Sequence, residues 1–566
     1  MAKTFSPINS ETLVFIGAGA TSQLGMPSTY DLTKILRSLC NGGQETIELL
    51  KKFFYESDLK KVNAFLKMLE GSRENNLEIS TMDIEQAKIA LNYSKNNDEL
   101  LQTRILELRH DYDWNALKKI LKICPHKESD DGLVMDVFSI IDKKLISGQS
   151  LKVKAGDNEE ILSVSRLQGA RNFLILFVNM LFSAAWFRIA SGENESNFAK
   201  YKTFLTTFVK MMQKEGFKFH QRKYPLNERS FYLYTTSFVS FNFEMAFPWI
   251  LMVSDHDANH RKTYIGGDHP LRLWLDFGCE HRGRKLESEE GELVPTIEFT
   301  ESVVSRENED GSHVGSEINR CGKFYFAHGS SNWRECPVCG RMTFYFGNTN
   351  NKWGYKSKEL ISPYPIPIFD VEENITLTKK EQSWHYEKLH YDALQCMHCG
   401  SETHALDAPM IMQTVYKSTP TSFLEEIQRN VKVSLEKARH IVLLGYRLPP
   451  DDTIWYQTFA EAIRSRINTE EEAFCSVIVG HRGIQKWLYR DELERYVETN
   501  RKKEDSADWG ITAIENAWAI FGKKRIRAWT GGIPQVFGNG TENEVKELFY
   551  PSLVNWKCTR LEDFYW

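Results

Sequence analysis

The sequence has too few cysteines for a disulfide scaffold, because ten cysteines are spread over 566 residues. It also lacks a membrane-spanning segment: the longest uncharged stretch, residues 172–187, is shorter than the roughly 20 apolar residues that cross a bilayer. The first residues lack the charged start and the long apolar run of a secretory signal. We therefore expect a cytoplasmic protein that does not contact a membrane.

Neither sign of charge dominates the chain. Its 71 Lys and Arg residues and 76 Asp and Glu residues give a formal net charge of -5, which provides no overall attraction for phosphate groups. Direct nucleic-acid binding is therefore not expected. Hydrophobic residues make up 42% of the chain and charged residues 26%, as in folded soluble proteins. The length predicts about two to four domains.

Short apolar runs rich in β-branched and aromatic residues predict strands. These runs span residues 12–16, 232–241, 323–327, 441–444 and 477–479. Apolar residues at helical spacing predict one helix over residues 32–39, another over 424–438, and many amphipathic helices between residues 44 and 230. This alternation of strands and helices indicates an α/β fold.

A glycine-rich turn follows the first predicted strand. It comprises Gly17, Ala18, Gly19, Ala20 and Thr21. These small residues allow backbone N–H groups to approach a pyrophosphate, and we expect the turn to open a helix whose dipole favours the anion. The segment alone equally fits a tight turn that binds no ligand.

Two Cys-x-x-Cys pairs, each followed by glycine, indicate a metal site. The four cysteines are Cys336, Cys339, Cys396 and Cys399. Four thiolates are the ligand set of a tetrahedral structural zinc ion, which has no open position for a substrate. His398 and His404 are alternative ligands, but we expect them to be ordinary surface histidines.

The order of these features resembles that of the sirtuin family. Residues 17–27 (GAGATSQLGMP) are similar to the dinucleotide loop of that family, and residues 241–244 (FNFE) to its asparagine loop. Residues 326–330 (FAHGS) resemble its catalytic histidine segment, which the cysteine pairs follow as expected. Residues 444–449 (LGYRLP) resemble the later turn that lines the NAD ribose.

The resemblance implies a doubly wound, Rossmann-like parallel sheet that binds NAD, with a small zinc-binding module. Asn242 is expected to position a water molecule and His328 to accept its proton. Both lie in predicted loops, so we expect their replacement to disturb packing little. The NAD-binding residues implied are Gly17, Ala18, Gly19, Thr21, Gly25, Pro27, Asp31, Gly445 and Asp451. Asp451 and its neighbour Asp452 either contact ribose hydroxyls or cap the following helix.

Several residues depart from the pattern of protein-deacylating sirtuins. Residues 28–31 (STYD) replace an acidic residue, Phe and Arg, and Glu244 stands where Asp is commoner. These departures resemble the divergent bacterial sirtuin-like proteins of anti-phage defence, which hydrolyse NAD. The resemblance implies an NAD glycohydrolase, gated by homo-oligomerisation or by an operon partner such as a ring-shaped ATPase or a short Argonaute protein. The alternatives are a protein-lysine deacylase and a non-catalytic sensor of NAD or ADP-ribose.

The motifs also suggest domain boundaries. Residues 44–230 are expected to be a helical insertion that lies outside every motif and mediates self-association or regulation. Residues 333–405 are expected to form the zinc module, and residues 486–566 to complete or flank the core. The NAD-binding core is then discontinuous, with parts at residues 1–43, 231–332 and 406–485.

Overall fold

The computed structural model describes a discontinuous set of residues, to which all structural statements refer. These are residues 12–41, 44–70, 79–124, 133–155, 158–190, 192–223, 236–260, 272–279, 281–286, 293–295, 306–307, 313–314, 319–345, 379–411, 421–450, 452–467, 469, 472–479, 483–501 and 509–551. Asp451, a predicted NAD-binding residue, lies outside them, as do residues 232–235 of a predicted strand.

The described parts of the chain contain both strands and helices. The strands are β1 (Thr12–Ile16), β2 (Leu151–Ala155), β3 (Asn158–Leu162), β4 (Thr236–Ser240), β5 (Arg272–Asp276), β6 (His281–Leu286), β7 (Leu293–Pro295), β8 (Arg306–Glu307), β9 (His313–Val314), β10 (Asn319–Phe326), β11 (Trp333–Glu335), β12 (Met342–Tyr345), β13 (Leu394–Gln395), β14 (Glu402–Thr403), β15 (His440–Leu444), β16 (Phe474–Ile478), β17 (Trp487–Tyr489) and β18 (Ile526–Trp529). The helices are α1 (Thr29–Asn41), α2 (Gln44–Leu50), α3 (Glu56–Leu69), α4 (Thr81–Ala90), α5 (Asp98–Asp111), α6 (Trp114–Ile123), α7 (Leu133–Ile146), α8 (Val164–Ala190), α9 (Glu195–Lys223), α10 (Ala246–His260), α11 (Lys379–Glu387), α12 (Ser422–Lys437), α13 (Thr453–Arg464), α14 (Asp491–Arg501), α15 (Trp509–Phe521), α16 (Ile533–Val536) and α17 (Glu542–Phe549). The predicted mixed α/β class is confirmed.

The central sheet is mostly parallel and has the strand order β17-β18-β16-β15-β1-β4-β10-β5. Its edge strand β17 runs antiparallel to β18. Ile16 pairs in register with both Leu444 and Ser240, and Phe326 also pairs with Ser240. The carboxyl ends of β15, β1, β4 and β10 therefore lie level at one edge of the sheet, where four of the predicted motifs begin.

The central strands are buried along their whole length. Every residue of β1 (TLVFI), β4 (TSFVS) and β15 (HIVLL) is buried. Because successive side chains of a strand point to opposite faces, both faces at the centre of the sheet are covered. This burial explains why the sequence shows continuous apolar runs here instead of an alternating pattern.

Residues between α1 and β4 form the predicted helical insertion, to which the structure adds the small β2–β3 hairpin. Its longest apolar helix is α8. The stretch Val164–Ile189 is long and apolar enough to cross a membrane, but 78% of its most apolar window is buried inside the protein. This helix is therefore mostly buried in the core, as in a soluble protein.

The last segment of the chain extends the central sheet. β18 pairs in parallel with β16, with Ile526 opposite Cys475. The end of α17 lies at the N-terminal end of β1, where Thr12 Oγ1 donates a 2.6 Å hydrogen bond to the Phe549 carbonyl. Residues 526–549 thus support both β16 and β1.

A second sheet crosses a predicted domain boundary. Its order is β11-β12-β6-β7, and β6 pairs in parallel with β12. We expected β6 and β7 in the NAD-binding core, because they precede residue 333, but they pair with strands of the metal module. Pairing with a strand that lies later in the chain decides this position, and the local pattern around β6 carries no sign of it.

A buried ion pair joins the helical insertion to the metal module. Arg104 of α5 places Nη2 3.1 Å from Asp392 Oδ1, and both side chains are 7% exposed. His404 Nδ1 lies 3.4 Å from the other carboxylate oxygen. Burial alone would raise the pKa of Asp392, but the hydrogen bond from His404 and the charge of Arg104 outweigh it and lower that pKa. The bond to Asp392 raises the pKa of His404 despite its burial.

Replacing this carboxylate by Asp392→Asn is expected to lower the unfolding free energy by about 3 kcal/mol, because the Arg104 charge stays buried. The difference in Tm from wild type should be full between the ordinary pKa values of 3.8 and 6.5. It should shrink below that window as Asp392 is protonated, and above it as His404 loses its proton. Thermal unfolding of both proteins across pH measures this. A difference that stays constant with pH would contradict the assignment.

Candidate functional site

Two glycine turns contact each other at the carboxyl ends of β1 and β15. The Gly17 N–H donates to the Leu444 carbonyl at 3.0 Å, and the Gly19 N–H donates to the Gly445 carbonyl at 3.2 Å. A Cβ on Gly445 would lie 2.2 Å from the backbone nitrogen of Ala20, and one on Gly17 would lie 2.5 Å from the Gly445 oxygen. Glycine is therefore required at these positions by backbone packing, whether or not a ligand binds.

The first glycine turn does not open an α-helix, so that expectation is wrong. Ala18–Ala20 and Ser22–Leu24 form two short 3-10 turns, and α1 begins only at Thr29. Gly25 ends the second turn with a φ of 107°, a left-handed conformation that stops helical hydrogen bonding. The predicted helix over residues 32–39 is confirmed as part of α1, but its N-terminus is not part of the glycine turn.

Asp31, a predicted NAD contact, caps α1. Its carboxylate accepts hydrogen bonds from the N–H (3.0 Å) and the hydroxyl (2.5 Å) of Ser28. In return, its own N–H donates to the Ser28 hydroxyl at 3.2 Å. This reciprocal cap explains an acidic residue in the first turn of the helix without a ligand.

Asn242 connects the end of β4 to the first glycine turn. Its side-chain amide donates to the Gly17 carbonyl at 3.1 Å and to Glu244 Oε1 at 3.0 Å. The same Glu244 oxygen accepts a 2.8 Å hydrogen bond from the Thr21 hydroxyl. Burial raises the pKa of Glu244, against the hydrogen bonds from Ala246, Thr21 and Asn242. The cluster places the predicted residues Gly17, Thr21 and Asn242 together.

His328 follows β10 and lies beside the residues that flank Asn242. Its ring centroid is 4.9 Å from that of Phe241 and 6.3 Å from that of Phe243. Phe241 in turn stacks on Tyr446, at 4.4 Å, in the loop after Gly445. The ends of β4, β10 and β15 therefore meet around this imidazole.

Both candidate catalytic residues are buried. Asn242 is 8% exposed and His328 is 0% exposed. This burial disagrees with the expectation that replacing either residue disturbs packing little. The rings of Phe241 and Phe243 pack beside the imidazole of His328.

The helical insertion, although it lies outside every motif in the sequence, contacts the first glycine turn and the residues that follow it. Asn194 Nδ2 donates to the Leu24 carbonyl at 3.1 Å, and Asn197 Nδ2 donates to the Gln23 carbonyl at 2.8 Å. The Tyr201 hydroxyl donates to the Ala20 carbonyl. These side chains are three and four residues apart, so they lie on one face at the start of α9.

A small cavity lies between the insertion and the Asn242 cluster. Its volume of about 10 Å³ is close to the space that one water molecule requires. Its lining comes from α8, from the loop after Gly25 and from the loops after β4 and β10. The lining residues are Met26, Phe182, Ser183, Trp186, Glu244, Met245 and Ser331. The insertion thus forms one wall of the candidate site.

The four predicted metal-binding cysteines come together, although residues 340–395 separate the two pairs in the sequence. Their sulfurs all lie within 4.8 Å of one another. Cys336 Sγ is 3.5 Å from Cys399 Sγ, and Cys339 Sγ is 3.8 Å from Cys396 Sγ. A tetrahedral ion with metal–sulfur bonds of about 2.3 Å needs sulfurs about 3.8 Å apart. The set therefore fits a metal ion such as zinc.

Each cysteine pair occupies the tip of a two-stranded hairpin. The first tip connects β11 to β12 and the second connects β13 to β14. In both tips a glycine N–H donates at 2.8 Å to the carbonyl of the first cysteine, Gly340 to Cys336 and Gly400 to Cys396. Both glycines have positive φ, 65° and 74°, which turns the chain so that both sulfurs face one point.

The nearby histidines bind elsewhere, as expected. His398 Nε2 lies 3.0 Å from the Met342 carbonyl, and His404 pairs with Asp392 and Glu402.

His440, at the start of β15, is a core residue between the Phe549 carbonyl and the Ser476 hydroxyl. Burial lowers its pKa to about 3.

Sequence reasoning missed parts of this site. It left Asp452 with two roles, and the structure places Asp452 Oδ2 3.8 Å from His328 Nε2. It assigned no role in the site to Tyr201 or Ser183, because nothing in a helical pattern shows which turn of a helix contacts a distant loop. The acidic run at residues 451–452, next to a glycine turn, was the available signal for Asp452.

Comparisons with known proteins leave the chemistry to be argued from the residues. No family model matches the chain, and no curated protein matches its sequence. The sheet edge offers an amide, an imidazole and a carboxylate around one point, next to a turn of small residues. Such groups orient a polar substrate, accept a proton and stabilise positive charge.

The thiolate set is expected to hold about one zinc ion per chain. Cys396→Ser should lose that metal and lower Tm, because the two hairpins are then joined only by protein contacts. Metal analysis and thermal unfolding measure both effects. Cys124→Ser, which removes a buried thiol in the insertion, should keep the metal. Wild-type protein that is folded and free of zinc would refute this prediction.

Gly445→Ala is expected to destabilise the protein or separate the two glycine turns, because its Cβ has no room beside Ala20 and Gly19. Gly148→Ala is a matched control: its φ of 62° is nearly the same as the 61° of Gly445, but its Cβ meets no atom within 4 Å. A Tm loss at Gly445 that exceeds the loss at Gly148 isolates the packing effect from backbone strain. Equal losses would show that the close contact has no importance.

Proposed function

We propose that this protein is an NAD glycohydrolase with a doubly wound, Rossmann-like core of the sirtuin type. The main observation in support is that Asn242 and His328 follow the neighbouring strands β4 and β10, beside the glycine turn that follows β1. Parallel α/β sheets bind ligands at the carboxyl ends of their strands. The sirtuin-like order of the motifs agrees with NAD as that ligand.

The proposed reaction breaks the bond between the nicotinamide nitrogen and the anomeric carbon of ribose. The bonding electron pair leaves with nicotinamide, and the ribose becomes oxocarbenium-like. A water oxygen then bonds to that carbon. His328 accepts the proton that water loses, and Asn242 orients the water or the ribose. The products are nicotinamide, ADP-ribose and a proton.

The remaining contacts are assigned to the rest of NAD. Ala18 and Gly19 are partly exposed in the first glycine turn and are the proposed contacts of the pyrophosphate, beside Gly17, Thr21 and Gly25. Gly445 and its loop are assigned to the ribose. Pro27 is buried and Asp31 caps α1, so they act by shaping the loop more than by touching NAD.

The closed site supports a gated enzyme. Because His328 is fully buried beneath aromatic rings, the described conformation is the resting state in this proposal. A continuously active enzyme of this kind would deplete cellular NAD. We therefore propose that homo-oligomerisation, or a partner such as a ring-shaped ATPase or a short Argonaute protein, opens the site during bacterial anti-phage defence. The contacts of α9 with the glycine turn give the insertion a route to control it.

Asn242→Ala and His328→Gln are expected to lower NAD cleavage by about 10²- to 10⁴-fold each, the usual effect of losing a single proton-transfer or positioning group. ADP-ribose is measured by chromatography after incubation of NAD with the assembled, full-length protein. Asn242→Ala removes the side-chain hydrogen bonds to Gly17, Thr21 and Glu244, so Tm is recorded for every variant.

His440→Gln is the matched control, because it removes another fully buried histidine at the opposite ends of the strands. It should lose stability and keep cleavage per folded molecule. If both site variants cleave NAD at wild-type rates, the assigned site is wrong. NAD binding by wild type without any product, in every assembly state, would favour the non-catalytic sensor.

A further inference from the structure

We propose that Asp452 is a positioning residue for His328, whose carboxylate favours a proton on the facing Nε2 and stabilises the protonated imidazole. This role deepens the proposed function and rests on it for its catalytic meaning. The pairing itself is a property of the protein without any substrate. It joins a loop after β15 to a loop after β10, two strands that are separated in the sheet by β1 and β4.

The Asp452 side chain does not cap the helix that follows it. Asp452 immediately precedes α13, at the position where an aspartate usually accepts a hydrogen bond from the second or third N–H of the helix. Within the described residues 452–467, its side chain makes no such capping bond. Its backbone carbonyl accepts the Tyr456 N–H at 2.8 Å, so the helix does begin there. The carboxylate therefore points away from its expected local partner.

The Asp452 carboxylate lies beside the imidazole of His328 instead. Asp452 Oδ2 is 3.8 Å from His328 Nε2, and the two side chains are 1% and 0% exposed. A buried carboxylate requires a compensating partner because it has lost its hydration. An imidazole at this distance provides that partner when protonated. The two groups are thus placed to stabilise each other's charged form.

The other polar side chains on the loops around His328 make contacts of their own. Glu244, in the loop after β4, directs its oxygens to Thr21, Asn242 and the Ala246 N–H. Tyr446, in the loop after β15, stacks on Phe241. Met410 forms a β-bridge with Gly329, and the next residue, Ile411, donates its N–H to the His328 carbonyl. Asp452, by contrast, has ion-pair geometry toward the imidazole.

The consequence for the reaction concerns the two ring nitrogens. A proton on Nε2, facing Asp452, leaves the lone pair on Nδ1 to accept the proton of the attacking water. When that proton arrives, the ring becomes a cation beside the carboxylate. An opposite charge at this distance raises the pKa of a histidine and makes it a stronger base. Asp452 touches no reacting atom in this scheme, and it acts through His328.

The test is direct titration of His328 in the full-length protein. Histidine labelled with ¹³C and ¹⁵N is followed by NMR across pH, and His328→Gln identifies the signal. Asp452→Asn should lower the pKa of His328 by about one unit or more and change its tautomer populations. Asp113→Asn is the control, because Asp113 is another buried aspartate that precedes a helix and pairs with an arginine. It should lower Tm and leave His328 unchanged.

The same variants separate this proposal from the proposed function. In Asp452→Asn the maximal rate of NAD cleavage should fall, and the acidic limb of the pH profile should move to lower pH. An unchanged His328 titration in Asp452→Asn overturns the pairing, whatever the activity. A shifted titration with an unchanged pH profile overturns the catalytic role. Absence of cleavage by assembled wild type overturns the hydrolase assignment, while the titration still decides the pairing.

Discussion

The close contact of two backbones at the glycine turns is the constraint on which the sheet edge depends. β1 and β15 are adjacent and end level, so the turns that leave them occupy the same space unless neither carries a side chain at the contact. The close approach of the two turns fixes where the loop after Gly445 begins. In that loop Tyr446 stacks on Phe241, and Asp452 lies beside His328. A side chain at Gly17 or Gly445 would move the β15 loop away from the histidine.

The elements around this edge come from distant parts of the chain. The start of α9 holds the carbonyl groups of the first glycine turn, and α8 closes the cavity beside Glu244. The insertion is therefore built into the site instead of being appended to the core. Another helix of the insertion, α5, carries Arg104, which pairs with Asp392. The insertion therefore contacts both the segment after β1 and the part of the chain that carries the cysteines.

Local patterns predicted much of the fold. The strands at residues 441–444 and 477–479 and the helix at residues 424–438 were found because buried parallel strands are continuous apolar runs and surface helices repeat every 3.6 residues. The metal module was found for a similar reason, since each knuckle is a short-range motif. The pairing of β6 with β12 was not foreseen, because a strand later in the chain decides it. The expected helix after the glycine turn was wrong for a local reason, since Gly25 has a left-handed φ.

The sequence by itself determined the α/β class and the cysteine set and named candidate site residues, because each depends on neighbours within a few positions. It left the position of the Asp452 side chain open, and it placed Asn242 and His328 in loops without revealing their burial. Only the tertiary structure decided that position and that burial. The order β15-β1-β4-β10 brings loops from residues 17, 242, 328 and 452 to one edge, and no spacing along a single chain encodes which strands become neighbours or how closely their turns approach.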